Sequence, residues 1–230
     1  MNPSAAHSTY IGEGSKSYHH EKRSVPDQAL PWVIRSRSRL FQPHIQPTDH
    51  VLEWGCGFGW NLAGLRCSRR CGYDLASQLE GVVQSLGVEF LCRTQDIPDG
   101  SFQVVLCHHV LEHVPDPLMV LAEIRRLLSP SGKLLLAVPF ERHRRYRHYD
   151  PAEPNHHLFS WNVQTLGNLL QVAGYRVQQI GLRSYGYERR AAQWAVRWKL
   201  GEAGYSWLRR LIWVRLPIHE IAAVASPSRE

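Results

Sequence analysis

The apolar run HVLEW (50–54) opens directly onto glycines at every second position, Gly55, Gly57 and Gly59. No other stretch constrains the fold as strongly. A run of this kind reads as a strand, and glycines placed just after it supply positive-φ turns and let the backbone approach a ligand without interference from a Cβ. Turns of this sort usually cradle nucleotides, but two of the common kinds are excluded. The dinucleotide fingerprint G-x-G-x-x-G requires glycine where Trp60 stands, and a P-loop requires a Gly-Lys-Ser/Thr ending that the stretch lacks.

Strand and helix patterns alternate along the rest of the chain. Leu30, Val33, Ile34, Leu40, Phe41 and Ile45 recur at helical spacing and predict an amphipathic helix over residues ~28–42. After HVLEW, "NLAGLRC" reads as the opening of a helix and "CGYD" as the end of a second strand. "ASQLEGVVQSLG" reads as a helix closed by Gly87, and "VEFLC" and "FQVVLC" as strands three and four. Both strands are apolar on successive residues, the pattern of strands covered on both faces of a parallel sheet.

"DPLMVLAEIRRLLSPSG" predicts a helix with Leu118, Leu121, Ile124 and Leu128 inward, Pro117 in its first turn and SPSG as its stop. "KLLLAVP" is strand five, "WNVQTLGNLLQVAGY" a helix ending at Gly174, and "YRVQQIGLRS" and "HEIAAVAS" complete seven strands. The alternation predicts a doubly wound α/β sheet. Before the last strand, Trp194, Trp198 and Trp207 are interleaved with arginines in a stretch at about 188–214. It predicts an amphipathic helix packed on the sheet with arginine stems over the tryptophans, against a surface that lies on a membrane or covers a pocket.

The composition, 43% apolar, is that of an ordinary globular chain, and no apolar run approaches the ~20 residues of a membrane-spanning helix. The first twenty residues lack the apolar segment of a secretory signal, and five cysteines form no even framework, so a cytoplasmic protein is expected. A formal charge of +7 is spread along the chain, as solvated faces would spread it.

Ligands of such sheets sit at the carboxyl ends of the strands, where the strand order reverses. Strand one is followed there by Glu53 and the glycines. Strand two is followed by Asp74, 21 residues beyond Glu53, near the ~20 at which an acid meets a ribose. A carboxylate accepts both ribose hydroxyls. Strand three is followed by Gln95 and Asp96, within reach of an adenine edge, strand four by "CHHVLEHVPDP", and strand five by "PFERHRRYRHYDP".

In this order, "VLEWGCGFG", "GYDLAS", "IPDGSFQVVLCHHVLEHVPDPLMVLAEIRRLLSPSGKLLLAVP" and "HHLFSWNVQTLGNLLQVAGYRV" resemble the motifs of class I S-adenosylmethionine-dependent methyltransferases. The likeness is greatest to the small-molecule type that includes the ubiquinone-biosynthesis enzymes, and it spans roughly residues 48 to 182. It implies a Rossmann-like α/β fold: a seven-stranded, mostly parallel sheet with helices on both faces and the last strand pair antiparallel. A methyltransferase domain over 48–230 would follow an N-terminal helical lid over 1–47.

The resemblance further implies S-adenosyl-L-methionine as cofactor. Its methionine tail would lie against Glu53, Gly55, Cys56, Gly57 and Gly59, its ribose at Asp74 and Leu75, its adenine at Asp96 and Ile97, with His108 alongside. Gln103 stands where the family often has Asp, and the segment between strands three and four is short.

Methyl transfer is an in-line displacement governed by alignment, and a hydroxyl or amine acceptor also needs a base. His109 leads as that base because it follows strand four beside the expected methyl position; His108, His113, His156 and His157 are the other candidates. The resemblance places the acceptor against the N-terminal segment, Tyr18 and His19 included, and the loop bearing Arg144, Arg145, Tyr146 and His148. That loop suits an anionic or hydroxylated acceptor.

No metal is expected. His109-Val110-Leu111-Glu112-His113 matches the H-x-x-E-H zinc pattern, but it leaves a strand for a loop instead of lying on a helix. Cys67 and Cys71 are read as structural. The leading function is methylation of a small molecule, lipid headgroup or sugar, on O or N rather than C. An RNA methyltransferase is the alternative, prompted by the charge but without a Pro-Pro-aromatic loop, so nucleic acid is an unlikely partner. A non-catalytic cofactor-binding relative is the third reading. Peripheral contact with a membrane is compatible with the chain.

Overall fold

The computed structural model describes residues 24–141, 148–149 and 155–228. Among them are strands β1 (His50–Trp54), β2 (Arg69–Tyr73), β3 (Glu89–Leu91), β4 (Phe102–His108), β5 (Leu128–Pro139), β6 (Tyr175–Ser184) and β7 (His219–Pro227). The helices are α1 (Leu30–Phe41), α2 (Glu80–Ser85), α3 (Pro117–Leu127), α4 (Val163–Val172), α5 (Glu188–Arg197) and α6 (Gly201–Arg215). The strand order is β3-β2-β1-β4-β5-β7-β6. As expected from the alternation and the resemblance, the sheet is seven-stranded, with β7 antiparallel to β5 and β6. The chain divides into two compact units, one running to Asp96 and including Gly186–Pro217, the other holding Ile97–Tyr185 and the residues from Ile218 onward.

In the first unit β1, β2 and β3 pair in parallel. Val33 of α1 is fully buried in a cluster with Ala191, Ala192 and Ala195 of α5 and Tyr205 and Leu208 of α6. The alanines let the helices approach closely. "NLAGLRC" does not open a helix: residues 60–64 form turns. The Ser38 hydroxyl of α1 donates to the Ile34 carbonyl of its own helix at 2.9 Å and lies 3.3 Å from the Asn61 carbonyl. Ser38 also packs so tightly on Gly64 that a Cβ there would lie 3.2 Å from its own Cβ. The Trp/Arg-rich stretch is likewise two helices, broken by positive φ at Lys199 and Gly201.

In the second unit β4 and β5 are parallel. The Asp116 side chain caps α3 by accepting from the Met119 amide at 3.0 Å, with Pro117 at the first helical position. That start sets the phase of the helix: Val120, Leu121, Ile124 and Leu127 point inward, whereas Leu118, expected inward, is exposed. SPSG does not trail off as a loop but belongs to β5, whose first residue, Leu128, pairs with Phe102 across a register shift. A reciprocal Asn162/Thr165 capping box starts α4.

Candidate active site

In the first unit the glycine turn is strapped to the end of β2. The amides of Gly55 and Cys56 both donate to the Tyr73 carbonyl, at 2.8 and 3.0 Å, and the Gly57 amide donates to Asp74 Oδ2 at 2.8 Å. Gly55, Gly57 and Gly59 have φ of 73°, 50° and 70°, which side chains disfavour. Cys56 packs onto β2 so closely that a Cβ at Gly72 would lie 2.6 Å from its sulfur, so β2 also needs a glycine there.

Asp74 Oδ1 accepts from the Ala76 amide at 3.0 Å. Two backbone donors thus orient a carboxylate with about four acceptor positions, leaving capacity for two hydroxyls. The half-buried position of Asp74 and the exposure of Leu75 fit a ribose and its base. Glu53, the next-to-last residue of β1, is almost fully buried, and its Oε1 accepts from the Asn61 side-chain amide. Asn61 was not among the expected residues; a polar residue eight positions past a buried strand acid is its sequence signal.

Asp96 is strongly exposed and pairs loosely with Arg93 at 4.0 Å. In the second unit, the Ile97 carbonyl accepts from Arg126 Nη1 at 2.8 Å. Tyr18, His19, Arg144, Arg145 and Tyr146 lie outside the described residues, and His148 is exposed.

The histidines of the second unit fall into two sets. His108 and His109 stack with ring centroids 4.3 Å apart, and both Nε2 atoms meet Glu220 Oε2, at 3.1 and 3.0 Å. Arg183 Nε and Nη2 meet Glu220 Oε1 at 2.6 and 2.5 Å. Burial alone would raise the Glu220 carboxyl, but the charges and hydrogen bonds of His108 and His109 outweigh it and hold the group well below the usual carboxylate range. His109 itself sits at φ 58°, an unusual conformation for a non-glycine residue.

His113 and His157 form the second set, their rings in edge contact at 4.8 Å, with His157 Nδ1 2.7 Å from Glu141 Oε1. Glu112 lies beside them, 3.8 Å from His113 Nε2. His156 is exposed, with φ 49°. His109 and His113, adjacent in the H-x-x-E-H pattern, therefore belong to different sets, and residues 111–113 make a single turn. Two groups still bring three donor atoms within 4.8 Å of one another: His108, His109 and Glu220, and Glu112, His113 and His157. Arg183 already supplies a cation to the first; the second has the donors a divalent ion takes. Burial pushes the Cys71 thiol up to about 12, so it stays protonated, an inert partner for Cys67.

A methyltransferase-domain family model matches residues 25–180, about two thirds of the chain, including the glycine turn and both histidine sets. A ubiquinone biosynthesis O-methyltransferase of Xanthomonas oryzae pv. oryzae is 37% identical over 102 residues, covering 38% of this chain and 41% of that protein. The chain thus spans less than half the length of that curated relative.

Among solved structures, the 1,6-didemethyltoxoflavin-N1-methyltransferase of Burkholderia thailandensis, with S-adenosylhomocysteine bound, superposes with a TM-score of 0.64 at 19% identity over 100% of this chain and 92% of its own. A cyclase shares the fold as well, with a TM-score of 0.60 at 16% identity over 86% and 81% of the two chains, so the fold does not by itself name a reaction. The chain belongs to the methyltransferase-domain family and carries the fold of class I S-adenosylmethionine-dependent methyltransferases.

Proposed function

We propose that the chain transfers the methyl group of S-adenosyl-L-methionine to a hydroxyl or amine of a small-molecule, lipid-headgroup or sugar acceptor. The observation that carries the reading is the Asp74 carboxylate, oriented by the Gly57 and Ala76 amides beside three positive-φ glycines. A phosphate ligand would be repelled there, whereas ribose hydroxyls are donors. Glu53, Gly55, Cys56, Gly57 and Gly59 would hold the amino-acid tail, Asp74 and Leu75 the ribose, Asp96 and Ile97 the adenine side, with His108 beside the cofactor. When bound, the cofactor supplies a methyl carbon activated by its sulfonium. The chain's own part is alignment and proton removal.

His109 is the proposed base. An ionised carboxylate only accepts hydrogen bonds, so in the neutral form of the ring Glu220 accepts from Nε2–H and leaves the Nδ1 lone pair to take a proton from the acceptor. Glu220 then stabilises the imidazolium. The segment with Arg144, Arg145, Tyr146 and His148, together with Tyr18 and His19, remains the proposed acceptor side. O-methylation is favoured by the relative from Xanthomonas, named as an O-methyltransferase.

Calorimetric titration with S-adenosylhomocysteine tests the cofactor assignment. Asp74→Ala should weaken binding at least ~tenfold through two lost charge-assisted hydrogen bonds. Equal binding by the variant would remove Asp74 from the site. With labelled S-adenosylmethionine and a panel of phenols, amines and sugars, His109→Asn should lower kcat about a hundredfold with little change in KM. Transfer to bulk RNA in place of these acceptors would establish the alternative substrate class.

A further inference from the structure

Helix α6 is apolar on two opposite sides, and α5 carries exposed tryptophans at the edge of its buried stripe. On α5, Ala191, Ala192 and Ala195 are fully buried, whereas Trp194 and, just past its end, Trp198 stack at 5.9 Å with 41% and 55% of their surfaces exposed. On α6, Tyr205, Leu208 and Arg209 are buried. At 3.6 residues per turn, Ala203, Trp207, Leu211 and Val214 fall on the far side of α6 within about 80° of arc. Trp207 and Val214 are 60% and 73% exposed, and Leu211, Leu200 before the helix and Leu216 after it are exposed too.

The charges are placed with the same regularity. Arg210 and Arg215 flank the α6 arc on either side, and Arg190, Arg197 and Lys199 lie exposed along α5 and its end. The two acids of the helices are engaged elsewhere, Glu188 with Arg209 and Glu202 with Arg35. The open side therefore carries tryptophan, leucine and valine bordered by cations alone.

This is the chemistry of a bilayer surface. Indole rings favour the headgroup level, aliphatic side chains reach just below it, and arginine and lysine stems extend to anionic phosphates. A symmetric pair of copies would set each arginine border against its own image, which disfavours self-association. At 15 residues α6 is too short to span a membrane, and no described helix is long and apolar enough to do so.

We propose that the exposed apolar side of α6, together with the exposed tryptophans at the end of α5, docks the protein onto the surface of an anionic lipid bilayer. The proposal is independent of methyl transfer, because its test reads no activity. Purified full-length chain is sedimented with phosphatidylcholine vesicles, with or without phosphatidylglycerol, at low and high salt. Binding should require phosphatidylglycerol, weaken with salt and shift tryptophan emission to the blue.

The double variant Trp198→Ser, Trp207→Ser should lose at least ~tenfold in vesicle affinity, while Arg197→Glu with Arg210→Glu should abolish the preference for phosphatidylglycerol. Circular dichroism and S-adenosylhomocysteine titration of each variant show that it is folded. No sedimentation with phosphatidylglycerol vesicles at low salt, or full binding by the folded tryptophan variant, overturns the proposal. So does a concentration-dependent dimer in sedimentation velocity that the same variant abolishes, which would assign the face to a second copy.

Discussion

Glu220 on β7 and Glu112 in the loop after β4 are both buried to within 1% of their surfaces, but they have different neighbours. Glu220 meets Arg183 and two imidazoles and is held as a carboxylate. Neither carboxyl oxygen of Glu112 has a hydrogen-bond partner in any other described residue. Burial pushes Glu112 up to about 8, opposed only in part by its own backbone and by the charge of His157. Equal burial thus yields opposite ionisation because the partners, not the depth, decide the sign. For the proposed chemistry the consequence is a division of labour. Glu220 can fix the tautomer of His109 and stabilise its cation, while Glu112 carries a proton near neutral pH.

The strongest way to break this comparison is to remove the well-partnered acid. Glu220→Ala leaves Arg183 without its counter-charge and His108 and His109 without their shared hydrogen-bond partner, and should cost roughly 3–5 kcal/mol in urea unfolding. A loss below about 1 kcal/mol would show that solvent screens the cluster and that Glu220 positions nothing.

The pH dependence of stability sharpens the other half. The folded pKa of Glu112 lies above its ordinary value of 4.5, so between about 4.5 and 8 the folded state keeps a proton that the unfolded chain releases. Its contribution to stability is therefore greatest at the acid end and is lost as the pH rises through that window. Glu112→Gln should flatten the slope and gain on the order of 3 kcal/mol over the wild type near pH 8, read from urea midpoints across the window. An unchanged slope would mean that Glu112 ionises normally.

The smallest effect serves as a control. Asp116→Ala uncaps α3, just beyond the Glu112 loop, and should cost about 1 kcal/mol while leaving the pH slope intact. If the slope changes as well, the raised pKa reflects a loop held by its helix rather than burial of Glu112 itself.

Much of the fold was legible because apolar spacing reports which faces are covered. The strand–helix alternation, Pro117 in the first turn of α3 and the glycine turn all follow from local pattern. What misled was local too. "NLAGLRC" has a helical look, but its Gly64 packs directly against Ser38, a residue of α1 26 positions earlier in the chain. Leu118 fits a helical stripe whose phase is fixed by Asp116 and Pro117, which point it outward. In the candidate site Asp74 was legible from its distance to Glu53, and His109 from its place after β4. Asn61, Arg183 and Glu220 were not, because each becomes a partner only when separate segments meet.

The sequence by itself determined that β1 ends in a turn that favours glycine, that an acid follows on β2, and that histidines follow β4. These are properties of neighbouring residues, set by backbone sterics and apolar period. The tertiary structure alone decided which histidine meets which acid. His109 and Glu220 are 111 residues apart and join because β7 runs antiparallel beside β5, setting Glu220 opposite Pro139, while the His109 amide donates to Ala137 of the same strand. Pairing in a sheet is set by long-range register, and no local spacing records it.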